Sequence, residues 1–275
     1  MKKYIPNSIT CLNLFSGCIA CVMAFRHEYQ FAAYFIYIAA VFDFFDGFAA
    51  RLLKAYSALG KELDSLADCV SFGVAPGLIM FSLLGEAVFP DNLLPYQEYI
   101  SYFAFIIPVF SMLRLAKFNL DERQTSSFIG LPTPANSIFM ASYSCCLCYL
   151  PAFMNNGIWL LVIIVAFSAL LVAPLPMFSL KMKNFRLKNN TRRYVFFVLS
   201  LVLLLIFGIN HLYLVIVLYI VMSLVIALYF QISSSSFLGS CNFSFCKMAS
   251  NFCSKSSSGV GAGTSKSSPL RSIRK

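Results

Sequence analysis

Four aspartates stand inside otherwise apolar sequence: Asp43, Asp46, Asp64 and Asp68. They belong to the stretch DFFDGFAARLLKAYSALGKELDSLAD, which reads D-x2-D-G-x2-A-R-x8-G-x3-D-x3-D. A carboxylate in a bilayer costs several kcal/mol and requires a cation, a partner or a water-filled cavity. Asp43, Asp46, Gly47 and Ala50 fall at i, i+3, i+4 and i+7, on one face of a helix; Asp64 and Asp68, at i and i+4, share a face of the next. Four carboxylates brought together would repel one another without polyvalent cations between them. All-oxygen ligands select a hard ion, Mg²⁺ or Mn²⁺, and two such ions would clamp a diphosphate. A cation held this way in a membrane points to phosphate chemistry on a lipid. Small residues at Gly47 and Ala50 either admit a bulky headgroup or pack against a helix, and four neighbouring aspartates favour the headgroup. Arg51 either neutralises phosphate or snorkels to the interface. Ser57 is placed to donate to a phosphate oxygen, and Gly60 to give the connection a tight turn.

The elements that carry these residues are membrane helices. The chain has 275 residues, of which 59% are hydrophobic and 12% charged, with a mean hydropathy of +0.77. A soluble domain carries about a quarter charged residues. Eight hydrophobic spans are expected, roughly 8–25, 30–52, 65–85, 99–118, 134–154, 157–178, 194–209 and 211–231, forming an all-α polytopic bundle. Helix two then ends near Leu53 and helix three starts near Lys61. Both aspartate pairs come to about 5–10 Å from that end of the bundle, at 1.5 Å per residue. Pro6 suits a helix N-terminus, with Asn7 or Ser8 as cap. Residues 233–275 are Ser- and Gly-rich, basic and aperiodic, and read as a disordered tail after a membrane domain of 1–232.

The net charge of +10 would suggest nucleic acid in a soluble protein. Here topology accounts for it. With the N-terminus inside, every one of the 21 Lys and Arg residues except Arg26 falls in a cytoplasmic segment or in the tail, as the positive-inside rule requires. No nucleic-acid partner is expected, and no cleavable signal peptide is evident. Of the ten cysteines, the Cys18-x2-Cys21 and Cys145-x2-Cys148 pairs both fall inside expected apolar spans, where cysteine behaves as a small hydrophobe, so no zinc site is expected. No glycine-rich nucleotide loop or Ser–His–Asp pattern occurs. His27 and His211 lie at expected outer loops, away from the aspartates.

The stretch from Asp43 to Asp68 resembles the signature of the CDP-alcohol phosphatidyltransferase family at each of its fixed positions. The resemblance implies an integral-membrane enzyme with a six-helix core, here with about two extra helices, that transfers a phosphatidyl group from a CDP-linked lipid to an alcohol and releases CMP. It implies that Asp43, Asp46, Asp64 and Asp68 hold two divalent ions and that Asp68 is the general base. Gly47, Ala50, Arg51, Ser57 and Gly60 would line the CDP-lipid site. Pro6, Asn7 and Thr10 match the family's N-terminal Pro-Asn-x-x-Thr element near the nucleotide. A homodimer is implied by the family's habit.

The signature leaves the acceptor open. Ser71-Phe72-Gly73-Val74-Ala75-Pro76, Arg114-Leu115-Ala116-Lys117-Phe118-Asn119 and Phe128 to Asn136 (FIGLPTPAN) resemble the bacterial and archaeal phosphatidylserine synthase branch. That implies CDP-diacylglycerol and L-serine as substrates, in the cell (inner) membrane of a prokaryote, with the active site and both termini cytoplasmic. An amino-acid acceptor would need a cationic or donor-rich wall, for which Ser71, Arg114 and Lys117 are the candidates. Glycerol-3-phosphate or an inositol phosphate remains an alternative acceptor, and a membrane cation transporter a more distant alternative.

Overall fold

The computed structural model describes residues 4–120, 128–147, 156–177 and 187–228, together with Pro151 and Met154. Its helices are α1 (Tyr4–Phe25), α2 (Tyr29–Leu52), α3 (Ala58–Cys69), α4 (Ala75–Glu86), the short α5 (Gln97–Ser101), α6 (Ile106–Leu120), α7 (Thr133–Cys146), α8 (Gly157–Val172) and α9 (Leu187–Phe207). A last helix, α10, follows within Ile209–Leu228. Each expected span overlaps a helical stretch, those at 134–154, 157–178 and 194–209 overlapping the shorter helices α7 and α8 and the apolar part of α9, and the fold is all-α and polytopic. Five stretches are long and apolar enough to cross a membrane: Tyr4–Phe25, Tyr29–Leu52, Ala58–Glu86, Leu94–Leu120 and Ile209–Leu228. The tail from residue 233, the basic segment 181–186 and Arg123 lie outside the described residues.

Small residues let the first two helices pack closely. Ala20, Ala24, Ala32, Ala33 and Ala39 are fully buried, the pattern by which membrane helices gain van der Waals contact. The turn between them places His27 at φ 60, where its imidazole meets Glu86 at 2.5 Å and the Tyr29 hydroxyl at 3.0 Å. At its other end α2 closes through Lys54 at φ 50, with Ala55 N–H donating to Ala50 and Lys54 N–H to Arg51. This is the left-handed helix stop usually made by glycine.

Helix α3 starts at Ala58, earlier than expected. Ser57 caps it by accepting from Gly60 N–H at 3.0 Å. Gly60 therefore lies within the first helical turn and makes no tight turn in the connection. The N-terminal cap expected at Asn7 or Ser8 is likewise not formed, because α1 is already helical at Tyr4. There the Ser8 hydroxyl bonds back to Tyr4 O.

Between α3 and α4 the helix widens into a π turn, Val70–Val74, with Ala75 N–H reaching Val70 O. Pro76 supplies the physical reason: it has no N–H to donate and its ring crowds the preceding turn, so a wider turn relieves the ladder. Gly73 and Gly77 face Pro108 of α6, and Cβ atoms there would lie 3.3 Å from Ser111 Cβ and 3.0 Å from Pro108 Cδ. On the opposite side Gly17 of α1 abuts Ser71, whose Cα would be 2.8 Å from an added Cβ. The turn that follows Asp68 is thus gripped from both sides.

Helix α7 is entered through Gly130 (φ 79), whose N–H donates to Leu175 O. Phe128–Ile129 pairs antiparallel with Pro176–Met177. This two-residue ribbon pins the start of α7 to the end of α8. A small second core of Leu131, Leu171, Met177, Phe196, Tyr219 and Ile220 joins it to α9 and α10.

Candidate active site

Helices α2 and α3 bring one carboxylate oxygen each from Asp43, Asp64 and Asp68 within 4.8 Å of one another. Asp68 is buried, and a buried oxygen of Asp64 has no protein partner. Three converging carboxylates, one with an unsatisfied buried oxygen, form an all-oxygen donor set that fits a divalent cation. Asp46 is outside this trio. Its Oδ2 accepts from Thr10 Oγ1 at 2.6 Å, and it lines the same cavity as Asp64.

That cavity is about 680 Å³ and is walled by α1, α2 and the start of α3. Asn7, Thr10, Asp46, Gly47, Ala50, Arg51, Ser57, Gly60, Lys61 and Asp64 are among the residues lining it. All of the residues expected around a CDP-linked lipid are therefore gathered at one opening. Gly47 separates the two readings of its small size. A Cβ there would meet only Arg51 Nη2, at 3.9 Å, so Gly47 clears space in the cavity and packs against no helix. Gly60 is tighter: a Cβ would come 3.0 Å from Ser57 Oγ and 3.1 Å from Asn7 Oδ1. Arg51 is exposed, lines the cavity and donates Nε to Gly47 O at 2.8 Å. Ser57 spends an oxygen lone pair on capping and keeps its hydroxyl hydrogen for another acceptor.

Helix α1 reaches the aspartates from behind. Asn13, fully buried, donates Nδ2 to Asp68 Oδ1 at 3.1 Å. Its backbone carbonyl accepts from Ser71 Oγ at 3.0 Å, which ties the π turn to α1. Asn13 escaped the sequence reading. Its signal was a spacing: Pro6, Thr10, Asn13, Gly17, Ala20 and Ala24 recur at three and four residues, and all are buried.

The acceptor candidates separate. Arg114 is 9% exposed, and its Nη1 donates to Thr133 Oγ1 at 2.8 Å. Its guanidinium lies 5.4 Å from the Phe118 ring centre and within electrostatic reach of Asp43 and Asp68. Lys117 is exposed. Ser71 is buried with its hydroxyl given to α1. Lys61 donates to Asn119 O at 3.0 Å, and the Asn119 amide to Ser65 Oγ at 2.7 Å, bracing α3 against the end of α6.

The sequence model described as CDP-alcohol phosphatidyltransferase matches residues 3–170. The chain is similar to the CDP-diacylglycerol–serine O-phosphatidyltransferase of Bacillus subtilis, 38% identical over 160 residues, which are 54% of this chain and 86% of that protein. Proteins of the same name from Mycobacterium leprae and Saccharomyces cerevisiae are 32% and 35% identical over 183 and 159 residues, 64% and 52% of this chain. The aligned regions span 58% and 54% of those two relatives.

Proposed function

The chain belongs to the CDP-alcohol phosphatidyltransferase family, and we propose that it transfers the phosphatidyl group of CDP-diacylglycerol to L-serine, forming phosphatidylserine and CMP. The observation that carries this reading is the meeting of Asp43, Asp64 and Asp68 beside a cavity lined by Asp46, Gly47 and Arg51. The acceptor rests on the names of the similar proteins and on the buried Arg114.

In this reading Asp43, Asp46, Asp64 and Asp68 hold Mg²⁺ or Mn²⁺. When bound, such ions neutralise the diphosphate and the departing phosphate of CMP. The residues of the chain do the rest. Arg51 and the Ser57 hydroxyl contact the diphosphate, while Gly47 and Ala50 let it approach α2. Thr10 orients Asp46. Asp68, steadied by Asn13, takes the proton of the serine hydroxyl as its oxygen attacks the phosphorus that carries diacylglycerol. The bond from that phosphorus to the bridging oxygen breaks, its electron pair leaves with CMP, and no covalent enzyme intermediate is required. Arg114 receives the acceptor's carboxylate. The acyl chains stay in lipid, and the site faces the cytoplasm of a prokaryotic cell, with both termini on that side and with two copies of the chain forming a dimer.

The test is direct. Purified protein in detergent, with CDP-diacylglycerol and Mn²⁺, is given labelled serine, glycerol-3-phosphate or an inositol phosphate in turn. Phosphatidylserine formation supports the reading. CMP release with glycerol-3-phosphate and none with serine contradicts the acceptor.

A further inference from the structure

Behind the aspartates, α6 and α7 hold polar side chains in a fully buried setting. Ser111 and Arg114 are one turn apart on α6, Thr133 and Asn136 one turn apart on α7, so each pair shares a helix face. Ser111, Thr133 and Asn136 have no exposed surface. The Arg114–Thr133 hydrogen bond joins the two pairs, and Ser111 packs on the π turn at Gly73, just beyond Asp68. Within this cluster both polar atoms of the Asn136 amide lack a protein partner, as does the Ser111 hydroxyl. An amide can make up to four hydrogen bonds, and burying it with none is costly. Residues three or four positions further along α7, Phe139 and Met140, are apolar and buried, so the helix has no need of an amide for packing.

We propose that Asn136 is a specificity residue for the acceptor, recognising the α-amino-acid headgroup together with Arg114. This rests on the serine reading given above. The chemistry matches group by group. Arg114 spends one of its five N–H donors on Thr133 and has others for a carboxylate. Asn136 offers an acceptor for an ammonium and donors for the carboxylate. Arg114 is also within electrostatic reach of Asp68, so an acceptor short enough to place its hydroxyl on Asp68 and its carboxylate on Arg114 spans the gap. Among the residues whose side chains are described, Arg114 is the one buried cation. A single positive charge beside a neutral amide suits a zwitterion carrying one carboxylate better than a dianionic phosphate.

The experiment compares wild type, Asn136→Ala and Asn136→Asp as full-length protein in detergent. Steady-state kinetics are measured with L-serine, with 3-hydroxypropionate (no ammonium) and with ethanolamine (no carboxylate). Affinity for CDP-diacylglycerol and melting temperature are measured in parallel. Asn136→Ala is expected to raise the KM for serine about 10–100-fold, to keep affinity for CDP-diacylglycerol, and to narrow the preference for serine over 3-hydroxypropionate. Asn136→Asp conserves volume but sets a carboxylate against that of serine, and is expected to raise KM further. An unchanged serine KM in both variants overturns the proposal, as does an equal loss of affinity for CDP-diacylglycerol. No phosphatidylserine from wild type contradicts the serine reading itself, an outcome distinct from a failure confined to Asn136.

Discussion

Asn13 on the first helix donates its side-chain amide to Asp68 on the third, at 3.1 Å, in a site where Asn13 has no exposed surface. The two lie 55 positions apart in the chain. The bond holds one carboxylate oxygen of Asp68 in place beside Asp43 and Asp64. Ser71 bonding to the Asn13 carbonyl, with Gly17 pressed against Ser71, makes α1 the part that sets where Asp68 points.

Asn13→Ala is therefore expected to lower kcat about 10–100-fold while changing the KM for CDP-diacylglycerol little, since in the proposed mechanism the bond serves the proton acceptor rather than the nucleotide. Steady-state kinetics with each substrate varied in turn checks this split. A rise in the KM for CDP-diacylglycerol with kcat unchanged would assign Asn13 to nucleotide binding.

Gly47 opens onto empty cavity, so its substitution separates stability from activity. Gly47→Ala is expected to stabilise the protein by about 0.5–1 kcal/mol through helix propensity. Gly47→Leu is expected to keep the fold yet raise the KM for CDP-diacylglycerol at least tenfold by filling space beside Asp46. Melting temperature and kinetics on the same preparations distinguish the two effects.

Gly17→Ala should behave in the opposite way. The added methyl overlaps Ser71 and lies 2.8 Å from its Cα, so α1 and the π turn must separate. A loss of about 1–3 kcal/mol is expected, together with lower activity because Asn13 and Asp68 move apart. Ser71→Ala in the same protein should not rescue it, since the backbone carbon remains in the way. Thermal unfolding in detergent with and without the second substitution reads this out.

Much of the site was legible from spacing alone. Aspartates at i, i+3 and i, i+4 marked one acidic face on each of two helices, and the helical period placed both pairs at one depth. Contributions from distant helices were less visible. Asn13 and Thr133 act across gaps of 55 and 19 residues, and single-helix periodicity cannot say which faces oppose. Gly60 misled because glycine is read as a turn residue, whereas here it fits the crowded first turn of α3 between Ser57 and Asn7. The π turn was likewise hidden, although Pro76 is its cause.

Lys54 stops α2 in the left-handed conformation that a side chain adopts at some cost. Lys54→Gly is expected to raise stability by about 0.5–1 kcal/mol and to leave turnover near wild type, since Lys54 does not line the cavity. A melting temperature that falls would contradict the strain.

The central claim is that Asp68 takes the proton of the attacking hydroxyl within a phosphatidyl-transfer site. The most direct measurement is serine-dependent CMP release by Asp68→Asn, run beside binding of CDP-diacylglycerol in the presence of Mn²⁺. Turnover is expected to fall about 10²–10⁴-fold, with binding of the nucleotide lipid largely kept by the cavity residues around Arg51. Turnover at the wild-type rate in Asp68→Asn would contradict the account.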